Sequence, residues 1–216
     1  MARLRVQNNL TLDGVMQAPG SADEDRRDGF EYGGWAQPYF DPVMAEAAGE
    51  SMSQGGAMLF GRRTYEQFAS FWPNQPDDDP FAKVLNGAQK YVASTTLEEP
   101  LPWANSTLLT GDVAEAVTKL KGELDTDLVI LGSGELIRSL MPHGLIDEYT
   151  LQIHPLVLGT GRRLFTDAGG YSAMQLLKSK VTTTGVLIAT YLPTEAKPSS
   201  AVGDASETQP VGAARG

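Results

Sequence analysis

Apolar residues in this chain come in short runs, and the runs alternate with segments of helical period. Leu4 to Leu10 predicts a first strand. Ala57-Met58-Leu59-Phe60, Lys90-Tyr91-Val92-Ala93 and Asp127-Leu128-Val129-Ile130-Leu131 are apolar on both faces, which suits strands buried inside a sheet. Between the last two, Val113, Ala116, Val117 and Leu120 fall at i, i+3, i+4 and i+7, one face of a helix. Asp112 and Glu115 form a capping box at its start, and Gly122 is placed to end it. A second helix is predicted over Glu135–Met141, stopped by Pro142 and Gly144. Further on, Tyr149, Leu151 and Ile153 alternate with Thr150, Gln152 and His154. Met174–Leu192 then reads as two strands joined near Thr183–Gly185. Strand–helix alternation followed by antiparallel strands predicts an α/β sheet, parallel for most of its width, with an antiparallel edge.

From Thr194 onward the pattern stops. The last 23 residues hold no aromatic residue, Leu or Ile and are rich in Ala, Gly, Ser and Pro. Such a segment cannot bury enough apolar surface to offset its ordering entropy. The expectation is one domain over residues 1–193 and a disordered tail over 194–216. Seventeen Lys and Arg against 27 Asp and Glu leave a net charge of −10, which repels a nucleic-acid backbone. Cysteine is absent, which excludes disulfides, thiolate zinc sites and a cysteine nucleophile. His143 and His154 have no carboxylate at a ligand spacing, so no metal is expected. The apolar runs fall far short of the roughly 18 residues a membrane helix needs. The N-terminus enters a strand without an apolar signal core, so a cytoplasmic protein is expected.

Three segments place small residues or donors where a buried strand ends, the usual ligand position in open α/β sheets. In Phe60-Gly61-Arg62-Arg63-Thr64-Tyr65, helix N–H groups, a hydroxyl and two guanidinia suit a phosphate; a capped helix with two solvated arginines is the alternative. Ser94 and Thr95 bind phosphate or cap a turn. Gly132-Ser133-Gly134-Glu135 lets a pyrophosphate approach the backbone ahead of a helix, or is a tight turn. Phe30, Tyr32, Trp35, Tyr39 and Phe40 crowd into eleven residues, as a lid over a planar ligand, as core packing or as a subunit interface.

These segments resemble a known family. Asn9-Leu10-Thr11-Leu12-Asp13-Gly14 is similar to the S-L-D-G opening of riboflavin-biosynthesis reductase domains. Gly61-Arg62-Arg63-Thr64-Tyr65 resembles the G-R-x-T-[YW] element of dihydrofolate reductases, and Gly132-Ser133-Gly134-Glu135-Leu136 their later glycine-rich turn. Pro155 to Phe165 is similar to the family's P-x-x-L-G-x-G-x-x-L-F run. Gly33-Gly34-Trp35, with Pro38 and Asp41, resembles small bacterial proteins of the same kind. The match spans about residues 3–192, with the motifs in the family's order.

The resemblance implies a dihydrofolate-reductase-like fold, a mixed, mostly parallel sheet of about eight strands flanked by helices, and NADPH as cofactor. It places Gly61, Arg62, Arg63 and Thr64 on phosphates, and Ser94 and Thr95 near the adenosine 2′-phosphate. Gly132, Ser133, Gly134 and Glu135 would hold the pyrophosphate and nicotinamide side. Asp13, Gly14 and Trp35 would face the reacting ring. Dihydrofolate reductases hold the pterin with a carboxylate on the first helix. Asp41 is the candidate here, with Glu46 and Glu50 competing, and Asp41 before Pro42 reads equally as a helix cap. The expected function is an NADPH-dependent reductase acting on a small pterin- or pyrimidine-like heterocycle, with Asp13 or Asp41 as the catalytic carboxylate. The alternative is a non-catalytic protein that keeps the nucleotide pocket. Reductases of the riboflavin type imply a homodimer.

Overall fold

The computed structural model describes residues 1–166 and 171–194. Strand β1 (Leu4–Thr11) leads through a long loop to helix α1 (Pro42–Ser53). Then follow β2 (Ala57–Gly61), α2 (Arg62–Phe71), α3 (Pro80–Gly87), β3 (Lys90–Ala93) and β4 (Ser106–Leu109). Helix α4 (Val113–Glu123), β5 (Leu128–Leu131) and α5 (Gly134–Leu140) complete the alternating part. Strands β6 (Glu148–His154), β7 (Ala173–Val181) and β8 (Leu187–Thr194) close the chain's described portion. The eight strands form one sheet in the order β4-β3-β2-β5-β1-β6-β8-β7. Pairs from β4 to β6 are parallel, and β6–β8 and β8–β7 are antiparallel.

Both faces of the parallel strands β2 and β5 are buried, as their unbroken apolar runs require. On one face Leu4, Val6, Leu59 and Ile130 pack against Val117 of α4 and Ile137 and Leu140 of α5. On the other, Phe60, Val92 and Val129 meet Tyr65 of α2, Leu85 of α3 and Trp103. Helix α1 lies against the antiparallel end, where Met44 packs on Val186 and Ile188.

Local signals explain most boundaries. Asp112 caps α4, its Oδ1 accepting from the Glu115 N–H at 2.9 Å. Gly122 lies inside the last turn of that helix, which ends one residue later than it predicts. Helix α5 starts at Gly134 and passes into a 3₁₀ turn, Met141–His143, ahead of Gly144. Strand β8 reaches Thr194, one residue into the expected tail; residues 195–216 lie outside the described ones. Strand β7 forms the outer edge and exposes Leu176, Leu177 and Val181.

Candidate active site

The carboxyl ends of the parallel strands open onto one cleft of about 1140 Å³. Its walls contain Gly61, Arg62, Arg63 and Thr64 from the β2–α2 junction. Ser94 and Thr95 after β3, and Gly132, Ser133, Gly134 and Glu135 from the β5–α5 junction, join them. The structure therefore brings together all ten residues expected to contact the cofactor.

Two of these junctions are clipped to each other. The Gly61 N–H donates to Ser133 Oγ at 3.1 Å, and the Ser133 N–H donates to Thr64 Oγ1 at 3.2 Å. Ser133 takes a left-handed φ of 54°, following Gly132 at 66°, so the turn before α5 bends tightly enough to present its backbone. Gly134 faces Met16, whose Sδ occupies the place a Cβ would need. Ser94 closes a turn, its Oγ accepting from the N–H groups of Thr96 (3.1 Å) and Leu97 (3.0 Å). Helix α2 has no side-chain cap, so its first N–H groups are available at the cleft.

Arginines far apart in sequence meet here: the dipeptides Arg26-Arg27 and Arg62-Arg63, with Arg138 and Arg162. Glu135 lies 3.5 Å from Arg27, 3.6 Å from Arg63 and 3.3 Å from Arg162. Arg162 also pairs with Asp28 at 2.8 Å, and Arg62 with Glu66 at 3.3 Å. Arginines are thus gathered at the cleft, interleaved with Glu24, Asp25, Glu66, Asp112 and Glu135, on a chain of net charge −10. Sequence reading finds no basic cluster because each dipeptide stands alone until the fold gathers them.

The two expected catalytic carboxylates do not line the cleft. Gly14, at φ 80°, turns the chain back after β1, and Asp13 points at the Leu158–Gly159 backbone. Its carboxylate accepts from Thr11 Oγ1 at 2.6 Å, Leu158 N at 3.2 Å and Gly159 N at 2.9 Å, with Arg163 at 3.3 Å. Burial opposes the charge, but these bonds outweigh it and hold Asp13 at about 2. Gly14 lines a separate, apolar groove of about 310 Å³ with Tyr149, Leu151 and Phe165.

Asp41 caps α1, with Pro42 in the first turn. One oxygen accepts from Met44 N at 2.9 Å; the other accepts from the Thr183 N–H and hydroxyl, both 2.6 Å, and Thr184 N at 3.2 Å. It therefore ties α1 to the β7–β8 turn. Burial again opposes the charge, and the Thr183 hydroxyl and the three amides hold the carboxyl at about 2. The charged form is favoured in the fold, so its contribution is complete above pH ~4 and is lost as pH falls towards 2. Asp41→Asn is expected to melt several degrees lower than the wild type at pH 7. It should then lose less on going from pH 4 to 2, which calorimetry at both pH values checks. Glu46 pairs with Lys180 at 2.6 Å, away from the cleft.

Trp35 is buried with Val15, Ala18 and Phe30, and its Nε1 donates to the Gln17 carbonyl at 2.7 Å. Tyr32 and Phe40 are exposed. Of the readings open for this aromatic segment, core packing describes Phe30 and Trp35. Sequence reasoning passed over Gln7, Asn9, Gln152, Met16, Arg27 and Arg162, which all line the cleft. The polar triplet Gln7-Asn8-Asn9 inside a strand was the available signal.

The chain is 30% identical over 144 residues to the uncharacterized protein YyaP of Bacillus subtilis, covering 65% of this chain and 75% of that one. It is 28% identical over 124 residues to the uncharacterized protein YwjB of the same organism, covering 57% and 66%. A candidate riboflavin biosynthesis protein from Shewanella sp. PV-4 superposes with a TM-score of 0.63 at 21% identity, over 90% of this chain and 99% of that one. A pyrimidine reductase-like protein from Corynebacterium diphtheriae gives 0.57 at 12% identity, over 90% and 93%. At these identities the two structures establish a shared fold. The model of the RibD C-terminal domain matches residues 2–188, nearly the whole described body, and the chain belongs to that family.

Proposed function

We propose that the protein is an NADPH-dependent reductase that passes a hydride to a small pyrimidine- or pterin-like heterocycle. The convergence of Gly61–Thr64, Ser94, Thr95 and Gly132–Glu135 on one cleft carries this reading. The donor set suits a phosphorylated dinucleotide: uncapped α2 N–H groups, a bent glycine turn and an arginine rim. At about 1140 Å³ the cleft is roomy enough for a dinucleotide and a second ligand side by side. NADPH, when bound, would supply the hydride. The chain's own part is to hold the phosphates at the helix ends and to align the ring against the β1–β6 wall. No acidic side chain stands on that wall among the described residues, so the accompanying proton would come from water.

A thermal shift tests this first. NADPH at a hundred times its Kd is expected to stabilise the native state by about 2.7 kcal/mol, and NADH at the same concentration by much less. Oxidation of NADPH with pterins, flavin precursors and aromatic aldehydes then separates enzyme from binder. The placement of Asp13 and Asp41 outside the cleft favours a second reading, a non-catalytic nucleotide-binding protein. A thermal shift without turnover on any of the panel would select it.

A further inference from the structure

Every strand residue that lines the cleft is uncharged, and Gln7, Asn8, Asn9 and Gln152 among them are carboxamides. Asn8 is consumed internally, its Nδ2 donating to the Gly132 carbonyl at 3.3 Å. The other three stand on one face of β1 and β6, with Asn9 and Gln152 in direct register.

Neighbouring side chains set the polarity of Asn9 and Gln7. His154 is fully buried, with the Trp35 ring edge-on at 5.1 Å and the Tyr39 ring at 5.5 Å. Its Nε2 lies 3.0 Å from Asn9 Oδ1, and its Nδ1 has no partner among the described residues. Burial lowers this histidine to about 4, so near neutrality it carries a single ring N–H. A buried N–H left unpaired is the costlier orphan, which puts the proton on Nε2, donating to Asn9 Oδ1. Asn9 is then left with its NH₂ as the group available to a ligand. Gln7 has the opposite polarity: its Nε2 donates to Ser51 Oγ of α1, which leaves Oε1 available as an acceptor. Gln152 lines the cleft with its amide unengaged among the described residues, so it can serve as either.

We propose that Gln7, Asn9 and Gln152 are the ring-recognition wall of the substrate site, selecting a neutral heterocycle with a lactam edge, an N–H beside a C=O, and that His154 is the positioning residue that fixes Asn9 as donor. This deepens the reductase reading and rests on it for the identity of the cleft. A protonated diaminopyrimidine edge offers only donors and a charge. It would meet the Asn9 NH₂ donor-to-donor, with no carboxylate on the wall to receive it.

Lumazine (pteridine-2,4-dione) and 2,4-diaminopteridine test the idea, because they share a ring system and exchange carbonyls for amines. Calorimetric titration of the full chain, with and without NADPH, is expected to give lumazine at least a tenfold preference, the effect of about one hydrogen bond. Asn9→Asp should abolish or reverse that preference. Gln152→Glu should weaken lumazine about tenfold with an unchanged melting temperature, since no protein partner is lost; it covers the case in which Asn9→Asp fails to fold. His154→Phe should erase the preference, and His154→Gln, which keeps an N–H donor, should restore part of it. Equal binding of the two pteridines, preference for the diamine, or binding of neither overturns the assignment. A lumazine preference without an NADPH shift would leave the wall standing and remove the reductase reading. An NADPH shift without the preference would do the reverse.

Discussion

Arg62→Ala and Arg63→Ala are expected to remove most of the protein's preference for NADPH over NADH while leaving NADH affinity nearly unchanged. The two nucleotides differ by a 2′-phosphate carrying close to two negative charges. A chain of net charge −10 disfavours that anion at long range, so local donors must create any preference. Both guanidinia already face carboxylates: Arg62 lies 3.3 Å from Glu66, and Arg63 3.6 Å from Glu135. Exposed pairs of this kind contribute about 0–1 kcal/mol, so a phosphate can displace them. A charge-assisted bond to phosphate contributes about 1.5–3 kcal/mol, which is roughly a ten- to hundredfold ratio for each bond made. Titrating the wild type and both variants with each nucleotide at fixed salt decides the point. Equal binding of the two nucleotides by the wild type would remove the phosphate assignment.

Lys90→Met should cost about 3–5 kcal/mol of folding stability, measured by urea unfolding at pH 7. Lys90 begins β3 in a fully buried position. Its Nζ donates to the carbonyls of Ala88 at 2.7 Å, Ala104 at 3.0 Å and Asn86 at 3.3 Å, and lies 4.3 Å from the Trp103 ring. Methionine keeps the stem but leaves those carbonyls without their common donor. Burial lowers the lysine to about 8 from an ordinary 10.5, so the folded protein releases this proton before the unfolded chain does. The stability of the wild type relative to Lys90→Met should therefore rise between pH ~8 and ~10.5 and fall back as pH drops through 8. A flat difference across that window would show that the ammonium is not desolvated as the structure requires.

Much of this molecule is legible in the residue order because its signals are local. The runs Ala57–Phe60 and Leu128–Leu131 announce buried strands, and Asp112 and Pro42 mark helix starts, since each depends only on neighbours within one turn. Strand β4 and helix α3 escaped notice. Ser106–Leu109 is four residues long and only partly buried, and Pro80–Gly87 is barely two turns. The glycine and hydroxyl junctions were legible too, because helix N-termini and tight turns demand small residues and caps wherever they occur.

The role of Asp13 was not legible, and for Asp41 the order of residues left ligand contact and helix cap equally open. A carboxylate reads the same in sequence whether it faces a ligand or two or three backbone amides, and only the loop path after β1 and the β7–β8 turn chose the amides. Likewise Gln7-Asn8-Asn9 is visible as a polar triplet within a strand, but nothing in the residue order joins it to Gln152. Gln7, Asn9 and Gln152 become one wall because β1 and β6 lie side by side, and His154 gives Asn9 its direction across 145 residues. Local preference determines where strands, helices and caps form, because its energies are short-ranged. Which side chains share a cleft, and which hydrogen-bond partner each has left, is decided by register between distant strands, which only the folded sheet supplies.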